Sequence, residues 1–131
     1  MAPERLPLET SEQIVVVRQA VRREAIDLGF SLVEQTKVVT AASELARNTI
    51  QHGGGGSAQI ERLTDGTRRG LRLTFEDHGE GILDIERAMK DGWSSKGGLG
   101  LGLSGARRLS SEFEIESAPG KGTRVVIIRW K

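Results

Sequence analysis

The stretch 71–81, with the sequence LRLTFEDHGEG, is the part of the chain on which the fold assignment rests. Apolar residues such as Leu73 and Phe75 alternate with polar ones, which predicts a strand with one buried face. The strand runs into Asp77-His78-Gly79-Glu80-Gly81. A carboxylate at a strand end can accept a hydrogen bond from an exocyclic amine, and the glycines let a flat ring approach the backbone. Taken alone, the same letters indicate a tight turn first, because Asp and Gly favour turns.

A long helix is predicted on the amino-terminal side of this strand. Ser31 and Glu34 form the pattern of a capping box, and the helix continues to about His52. The glycines at 53–56 end it, since glycine readily takes the left-handed conformation of a helix end. An earlier helix is predicted to begin with Ser11 as its cap.

The remaining pattern completes a layered fold. Further strands are predicted at about 6–8, 58–63, 113–115 and 125–130, and shorter helices at 84–90 and 103–109. Helices on one face of a mixed β-sheet form a two-layer sandwich of the α/β (α+β) class. We expect residues 1–131 to form a single domain of this kind.

Composition excludes several classes of function. The chain is 37% hydrophobic and 28% charged with a net charge of +1, an ordinary balance for a soluble domain. That charge, with an aromatic content of 4%, does not fit a nucleic-acid-binding surface. Because cysteine is absent, disulfides and thiolate metal sites are excluded. The first ten residues contain no long apolar run, so we expect a cytoplasmic protein without membrane contact.

Two polar residues on the predicted helix 31–52 suit a metal. Glu44 and Asn48 stand four residues apart and so project from one helix face. A carboxylate beside an amide oxygen is a suitable hard-oxygen site for Mg²⁺, which needs few protein ligands. On this pair alone, a solvated helix face is the commoner interpretation.

A second glycine-rich run, Gly98-Leu99-Gly100-Leu101-Gly102-Leu103, leads into a predicted helix. Backbone N–H groups exposed at a helix start favour phosphate. The run with Gly105 also matches the dinucleotide fingerprint, but it follows no strand and no βαβ unit surrounds it. We therefore reject dinucleotide binding and keep a phosphate cradle.

The three motifs together resemble a known superfamily. Glu-x-x-x-Asn, Asp-x-Gly-x-Gly and Gly-x-Gly-Leu-Gly-Leu follow one another at 44–48, 77–81 and 98–103. In this order they resemble the N, G1 and G2 boxes of the GHKL ATPases, and Gly122-Thr123 is similar to the final box. The stretches 43–48, 92–103 and 113–123 are further similar to the serine/threonine kinases of the bacterial stressosome and their relatives, the anti-sigma factor serine kinases. The resemblance implies a Bergerat ATP-binding fold that uses ATP and Mg²⁺.

The resemblance also implies roles for individual residues. Asp77 would bind the adenine amino group, and Thr123 would help through its hydroxyl or a water. Asn48 would hold Mg²⁺, Glu44 would orient or deprotonate the attacking hydroxyl, and Lys96 matches a basic lid residue near the γ-phosphate. The full set of nucleotide-contacting residues so implied is Asn48, Asp77, Gly79, Gly81, Gly98, Leu99, Gly100, Leu101, Gly102 and Thr123.

The function implied is that of a protein-serine/threonine kinase acting on a STAS-domain antagonist or scaffold protein. The released kinase would then activate a serine phosphatase, and a homodimer is a further expectation. Two alternatives stay open. One is an anti-sigma factor that sequesters a sigma factor until it phosphorylates its antagonist, and the other is a detached ATPase domain with no protein acceptor. Neither nucleic acid nor membrane is expected as a partner.

Overall fold

A computed structural model describes residues 3–89 and 102–131 of the chain. The strands are β1 (Glu4–Leu8), β2 (Gly56–Asp65), β3 (Arg68–Asp77), β4 (Glu112–Ser117) and β5 (Thr123–Trp130). The helices are α1 (Ser11–Asp27), α2 (Leu32–Gln51), α3 (Ile85–Ala88) and α4 (Gly102–Arg108). Lys96 and the run Gly98-Leu99-Gly100-Leu101 lie outside the described residues, so their roles stay predictions.

Both long helices begin at a polar cap. The Ser31 hydroxyl accepts from the backbone N–H of Glu34 at 3.1 Å, and the Glu34 carboxylate accepts from the Ser31 N–H at 2.9 Å. This is the capping box that the sequence predicts. At α1 the cap is Thr10 rather than the expected Ser11, because Thr10 is extended while Ser11 is already helical. The backbone N–H of Thr10 donates to the side chain of Gln13 at 3.1 Å.

The expected sandwich is confirmed, but its sheet is antiparallel rather than mixed. The strand order is β1-β2-β3-β5-β4, and each pair of neighbouring strands in the described part of the chain is antiparallel. The connection through α3 and α4 leaves β3 and β4 pointing in the same direction. Because β5 then returns between them, neither strand has a parallel neighbour.

The core lies between this sheet and the two long helices. The inner stripe predicted for α2 is Val38, Ala42, Leu45 and Thr49, and each of these residues is at most 4% exposed. Leu71, Leu73 and Phe75 of β3 join the same buried cluster and are at most 2% exposed. Strand β3 is central in the sheet, so its end delivers Asp77 to the border of the core. None of the helices in the described part of the chain has the length and apolar composition to span a bilayer.

Candidate functional site

A cavity of about 390 Å³ opens between α2 and the end of β3. Four residues predicted to contact nucleotide line it, namely Asn48, Asp77, Gly81 and Thr123. They come from α2, β3, the loop after β3 and the start of β5, so folding brings together positions that lie far apart in the sequence. The volume is in the range of small-ligand sites.

The lining of the cavity combines apolar side chains with polar and charged ones, among them His52, Glu80, Asp84 and Arg87. Leu45, Phe75, Leu103 and Val125 line it and are each at most 4% exposed. The apolar side chains can cover a flat heteroaromatic ring while polar groups orient it. Asp77 is the ionisable residue among the four predicted contacts, and its carboxylate is an acceptor for an amino group on such a ring.

Backbone donors hold the Asp77 carboxylate in one orientation. Its Oδ1 accepts from the N–H of Gly79 at 2.9 Å and from the N–H of Thr123 at 3.2 Å. Asp77 and Thr123 are also direct partners in the β3–β5 ladder. Both recorded bonds use Oδ1, and within the described residues Oδ2 has no recorded hydrogen bond. Oδ2 is therefore the oxygen left for the donor of a ligand.

Three glycines near Asp77 stand where a side chain would collide with neighbouring atoms. A Cβ at Gly53 would collide with the Asp77 carboxyl, and a Cβ at Gly79 would lie 2.6 Å from the carbonyl oxygen of Gly53. Gly81 has a φ of +78°, and a Cβ there would collide with the carbonyl oxygen of Ala118. Gly79 thus binds the carboxylate through its N–H, whereas Gly81 lines the cavity itself.

Asn48 presents a buried amide to the cavity. The residue is 9% exposed, and in the part of the chain that the structure describes neither its Oδ1 nor its Nδ2 has a hydrogen-bond partner. Buried side-chain amides are nearly always satisfied in folded proteins. An unpartnered amide oxygen facing a cavity is a ligand of the kind that a hard divalent cation takes.

Glu44 lies one turn before Asn48 but lines a different depression. It is 1% exposed, and its Oε1 is 3.4 Å from Nη1 of Arg47. The depression is a groove of about 270 Å³ between α1 and α2. Its lining consists of Arg18, Arg22, Thr36, Val39, Thr40, Ser43, Glu44 and Arg47. Glu44 and Asn48, one turn apart on α2, therefore line two different depressions.

Three residues of this region have no site role predicted from the sequence. Gly53 was assigned only to a helix end and Arg87 only to a short helix, and Ser117 lies in the stretch 113–123 without a role of its own. Arg87 lines the cavity, and its backbone N–H is capped by the Asp84 side chain at 3.1 Å. The Ser117 hydroxyl lies 2.8 Å from the Thr123 hydroxyl. A signal for Ser117 was its place just before the turn that returns the chain to Gly122-Thr123.

Comparison with known proteins agrees with the motifs. A family model described as "Histidine kinase-, DNA gyrase B-, and HSP90-like ATPase" matches residues 33–131. Serine/threonine-protein kinase RsbT of Bacillus subtilis (strain 168) is 46% identical over 121 residues, covering 92% of this chain and 91% of that protein. Anti-sigma F factor of Thermoanaerobacter sp. (strain X514) is 31% identical over 129 residues, covering 94% and 89%.

A solved structure extends the likeness to three dimensions. The crystal structure of the RsbU and RsbW domains of Rv1364c from Mycobacterium tuberculosis aligns with all of this chain and with 33% of that chain, at a TM-score of 0.66 and 20% identity. At that identity the likeness concerns the fold alone. The family match covers most of the chain, and membership in an ATPase family implies the use of ATP. The chain belongs to the histidine kinase-, DNA gyrase B- and HSP90-like (GHKL) ATPase family.

Proposed function

We propose that this chain is an ATP-dependent protein-serine/threonine kinase that phosphorylates a STAS-domain antagonist or scaffold protein. The observation that carries the proposal is the arrangement on α2, where Asn48 lines the cavity and Glu44 lines the groove between α1 and α2. Glu44 and Asn48 are one helical turn apart, so the acceptor hydroxyl in the groove has to meet the γ-phosphate where the two spaces adjoin at α2. The identity of 46% to a serine/threonine-protein kinase supports transfer to a protein over hydrolysis alone.

The adenine ring is proposed to bind against Asp77. The 6-amino group donates to Oδ2 of Asp77, while Thr123 lies beside it at the start of β5. The apolar walls provided by Leu45 and Phe75 remove the ring from water. In this pose the phosphates extend toward Asn48, and Lys96 and the run 98–102 complete the predicted phosphate contacts.

Asn48 is the residue proposed to hold Mg²⁺. Its buried amide, which has no hydrogen-bond partner in the described residues, supports this role. Residues 3–89 and 102–131 contain no group of three or more His, Cys, Asp or Glu side chains arranged for a metal. The further ligands would therefore be phosphate oxygens and waters, as is usual for this ion. When bound, Mg²⁺ neutralises negative charge on the phosphates.

Glu44 is proposed to act on the acceptor hydroxyl. As the hydroxyl oxygen bonds to the γ-phosphorus, its proton passes to the Glu44 carboxylate, and the bond from that phosphorus to the β–γ bridging oxygen breaks to release ADP. Arg47 orients the carboxylate through the 3.4 Å contact with Oε1. Phosphoryl transfer asks the protein mainly for positioning and charge stabilisation, so this small set of groups suffices.

Changing Glu44 to Gln tests the kinase proposal. The substitution keeps the size of the side chain but removes its capacity to take a proton. We expect phosphate transfer from radiolabelled ATP to a STAS-domain partner to fall by roughly 10²–10⁴-fold. Binding of ATP, measured by calorimetry, should stay within about twofold, because Glu44 does not line the nucleotide cavity. Transfer at the wild-type rate in Glu44→Gln would contradict the assigned role.

The groove beside Glu44 indicates what kind of segment the acceptor presents. Arg18, Arg22 and Arg47 line it; Arg47 contacts Glu44, and no ion pair is recorded for Arg18 or Arg22 within the described residues. Three guanidinium groups favour a partner with acidic residues near the acceptor hydroxyl. Arg18→Glu should therefore raise the KM for the protein acceptor and leave ATP affinity unchanged. Arg69→Glu, an exposed change at the far end of β3, is the matched control.

The second candidate function is sequestration of a sigma factor. The identity of 31% to an anti-sigma F factor favours it. Pull-down of sigma factors and phosphate incorporation into STAS-domain proteins, measured side by side, separate the two. Tight sigma-factor binding with negligible transfer to any STAS-domain protein would replace the kinase proposal by this one.

A further inference from the structure

One serine hydroxyl joins three segments around the cavity. Ser117 is the last residue of β4, and its Oγ accepts from the backbone N–H of Ile82 at 2.7 Å. The same oxygen lies 3.0 Å from the carbonyl oxygen of Gly122 and 2.8 Å from Oγ1 of Thr123. Ile82 and Thr123 both line the cavity, so the hydroxyl connects two of its walls.

Counting protons fixes the direction of each bond. A serine hydroxyl has one proton and two lone pairs. The Gly122 carbonyl can only accept, so it takes the single proton of Ser117. The N–H of Ile82 occupies one lone pair, and the remaining lone pair accepts the proton of Thr123. The Thr123 hydroxyl is then committed as a donor to Ser117 and turns only lone pairs toward the cavity.

Asp77, like the Thr123 hydroxyl, presents only hydrogen-bond acceptors to a ligand. Its carboxylate is an acceptor, and the two residues are held together by the 3.2 Å bond from the Thr123 N–H to Oδ1. A nucleobase edge at this place therefore meets two acceptors. At position 6 an amino purine offers donors to them. An oxo purine offers an acceptor there and has its nearest donor at the adjacent N1–H, which leaves a buried acceptor facing the oxo group unpaired.

We propose that Ser117 is a positioning residue that makes the cavity selective for 6-amino over 6-oxo purine nucleotides. It acts through Thr123, whose hydroxyl it keeps from donating to an oxo group. The inference rests on the proposed function, in which Asp77 and Thr123 receive the nucleobase. Without the Ser117 hydroxyl, Thr123 can rotate and donate, and the oxo group gains a partner.

Calorimetric titration with ADP and with inosine diphosphate, both with Mg²⁺, tests the proposal because neither ligand is consumed by transfer. Wild type should bind ADP more tightly. In Ser117→Ala the ratio of the two dissociation constants should narrow by roughly three- to tenfold, the effect of one neutral hydrogen bond. Ser117→Thr, which keeps the hydroxyl, should restore the wild-type ratio. A purely structural role would weaken both ligands equally and leave the ratio unchanged, and that result would overturn the proposal.

Thr123→Val provides an independent arm, since valine keeps the shape and removes the hydroxyl. It should narrow the ratio by itself, and adding Ser117→Ala in this background should change the ratio no further. If Ser117→Ala does not fold, a wild-type ratio in Thr123→Val overturns the inference. Failure of ADP to bind wild type, or binding unaffected by Asp77→Asn, would instead refute the proposed nucleotide site. ADP binding that needs Asp77, with a ratio that ignores Ser117, refutes this inference alone.

Discussion

At the scale of single residues, Asp77 is oriented by backbone N–H groups, and within residues 3–89 and 102–131 it has no recorded ion pair. Two N–H donors bind Oδ1, and Gly53 and Gly79 approach closely enough that a side chain at either would displace the carboxyl or the chain around it. Both donors require an acceptor at the Oδ1 position. Any replacement at residue 77 must therefore keep an oxygen there, which determines what it offers to a ligand.

Asp77→Asn follows from this constraint. The amide oxygen has to occupy the Oδ1 position, so the amide nitrogen replaces Oδ2 and presents a donor to the adenine amine. ADP affinity should fall by about 1.5–3 kcal/mol, the range for a hydrogen bond to a charged group. Inosine diphosphate, whose oxo group accepts, should lose less. Calorimetry on both ligands checks this, with Asp65→Asn in the distant β2–β3 turn as control, and equal losses would contradict the orientation argued for Asn.

The sequence identified Asp77 and Thr123 as candidates but not the reasons for the glycines near them. Spacing alone suggested that Gly81 makes room for a ring. In the structure its φ of +78° and the nearby Ala118 carbonyl already require glycine. That contact joins residues 37 positions apart, and no local pattern carries such information. Ser117 was missed for the same reason, because its partners Ile82 and Thr123 come from other segments.

At the scale of elements, Arg62 links α1 to β2. Its guanidinium donates to both carboxylate oxygens of Glu24, at 3.1 and 2.9 Å, and to Asp27 at 3.2 Å. The hydrogen bonds from Arg62 lower the pKa of Glu24 below its ordinary value of 4.5, although burial alone would raise it. The helix cap at Ser31 could be predicted from neighbouring letters, whereas this pair, 38 residues apart, could not.

The lowered pKa of Glu24 predicts a pH-dependent stability. A carboxyl whose folded-state pKa is depressed stabilises the fold above its unfolded pKa, and the stabilisation is lost as pH falls through the folded value. Arg62→Gln should lower the free energy of unfolding by about 0.5–1 kcal/mol at pH 7, since the pair is partly exposed. The difference in the free energy of unfolding between Arg62→Gln and wild type should shrink as the pH is lowered below about 4.5. Urea titrations at several pH values measure it, with Arg69→Gln as control, and a gap independent of pH would exclude Glu24 as the cause.

For the whole molecule, the local sequence pattern predicts where each helix and strand lies better than it predicts which strands pair in the sheet. The apolar stripe of α2 and the β2–β3 and β4–β5 hairpins lie where periodicity and turn residues indicate. The insertion of β5 between β3 and β4 was not predicted, because strand pairing across α3 and α4 depends on how the sheet closes over the core. That insertion matters for the site, since it sets Thr123 beside Asp77.

The buried amide of Asn48 lowers the stability of the ligand-free fold, although it serves nucleotide binding. A buried amide without hydrogen-bond partners lowers the free energy of unfolding by roughly 1–3 kcal/mol. An apolar side chain of similar size carries no such penalty. The residue borders both the helix layer and the cavity, so its burial is part of the core. A protein retains such a group where binding requires it, and its replacement then separates stability from function.

Asn48→Leu should therefore hold or raise the thermal midpoint of the ligand-free protein, by about 3–6 °C for each kcal/mol gained. The same change should abolish the part of ligand stabilisation that depends on Mg²⁺. Wild type with Mg-ADP at one hundred times its Kd gains about 2.7 kcal/mol, and chelation of the metal should remove much of that gain. In Asn48→Leu the midpoints with ADP should be equal in Mg²⁺ and in EDTA. Differential scanning calorimetry compares each protein with and without ADP, in Mg²⁺ and in EDTA. Thr40→Val, on α2 but away from the nucleotide cavity, controls for a polar-to-apolar change in the same helix. A ligand-free midpoint well below wild type would show that the Asn48 amide has partners in the fold, and a persistent Mg²⁺-dependent gain would place the metal on other residues.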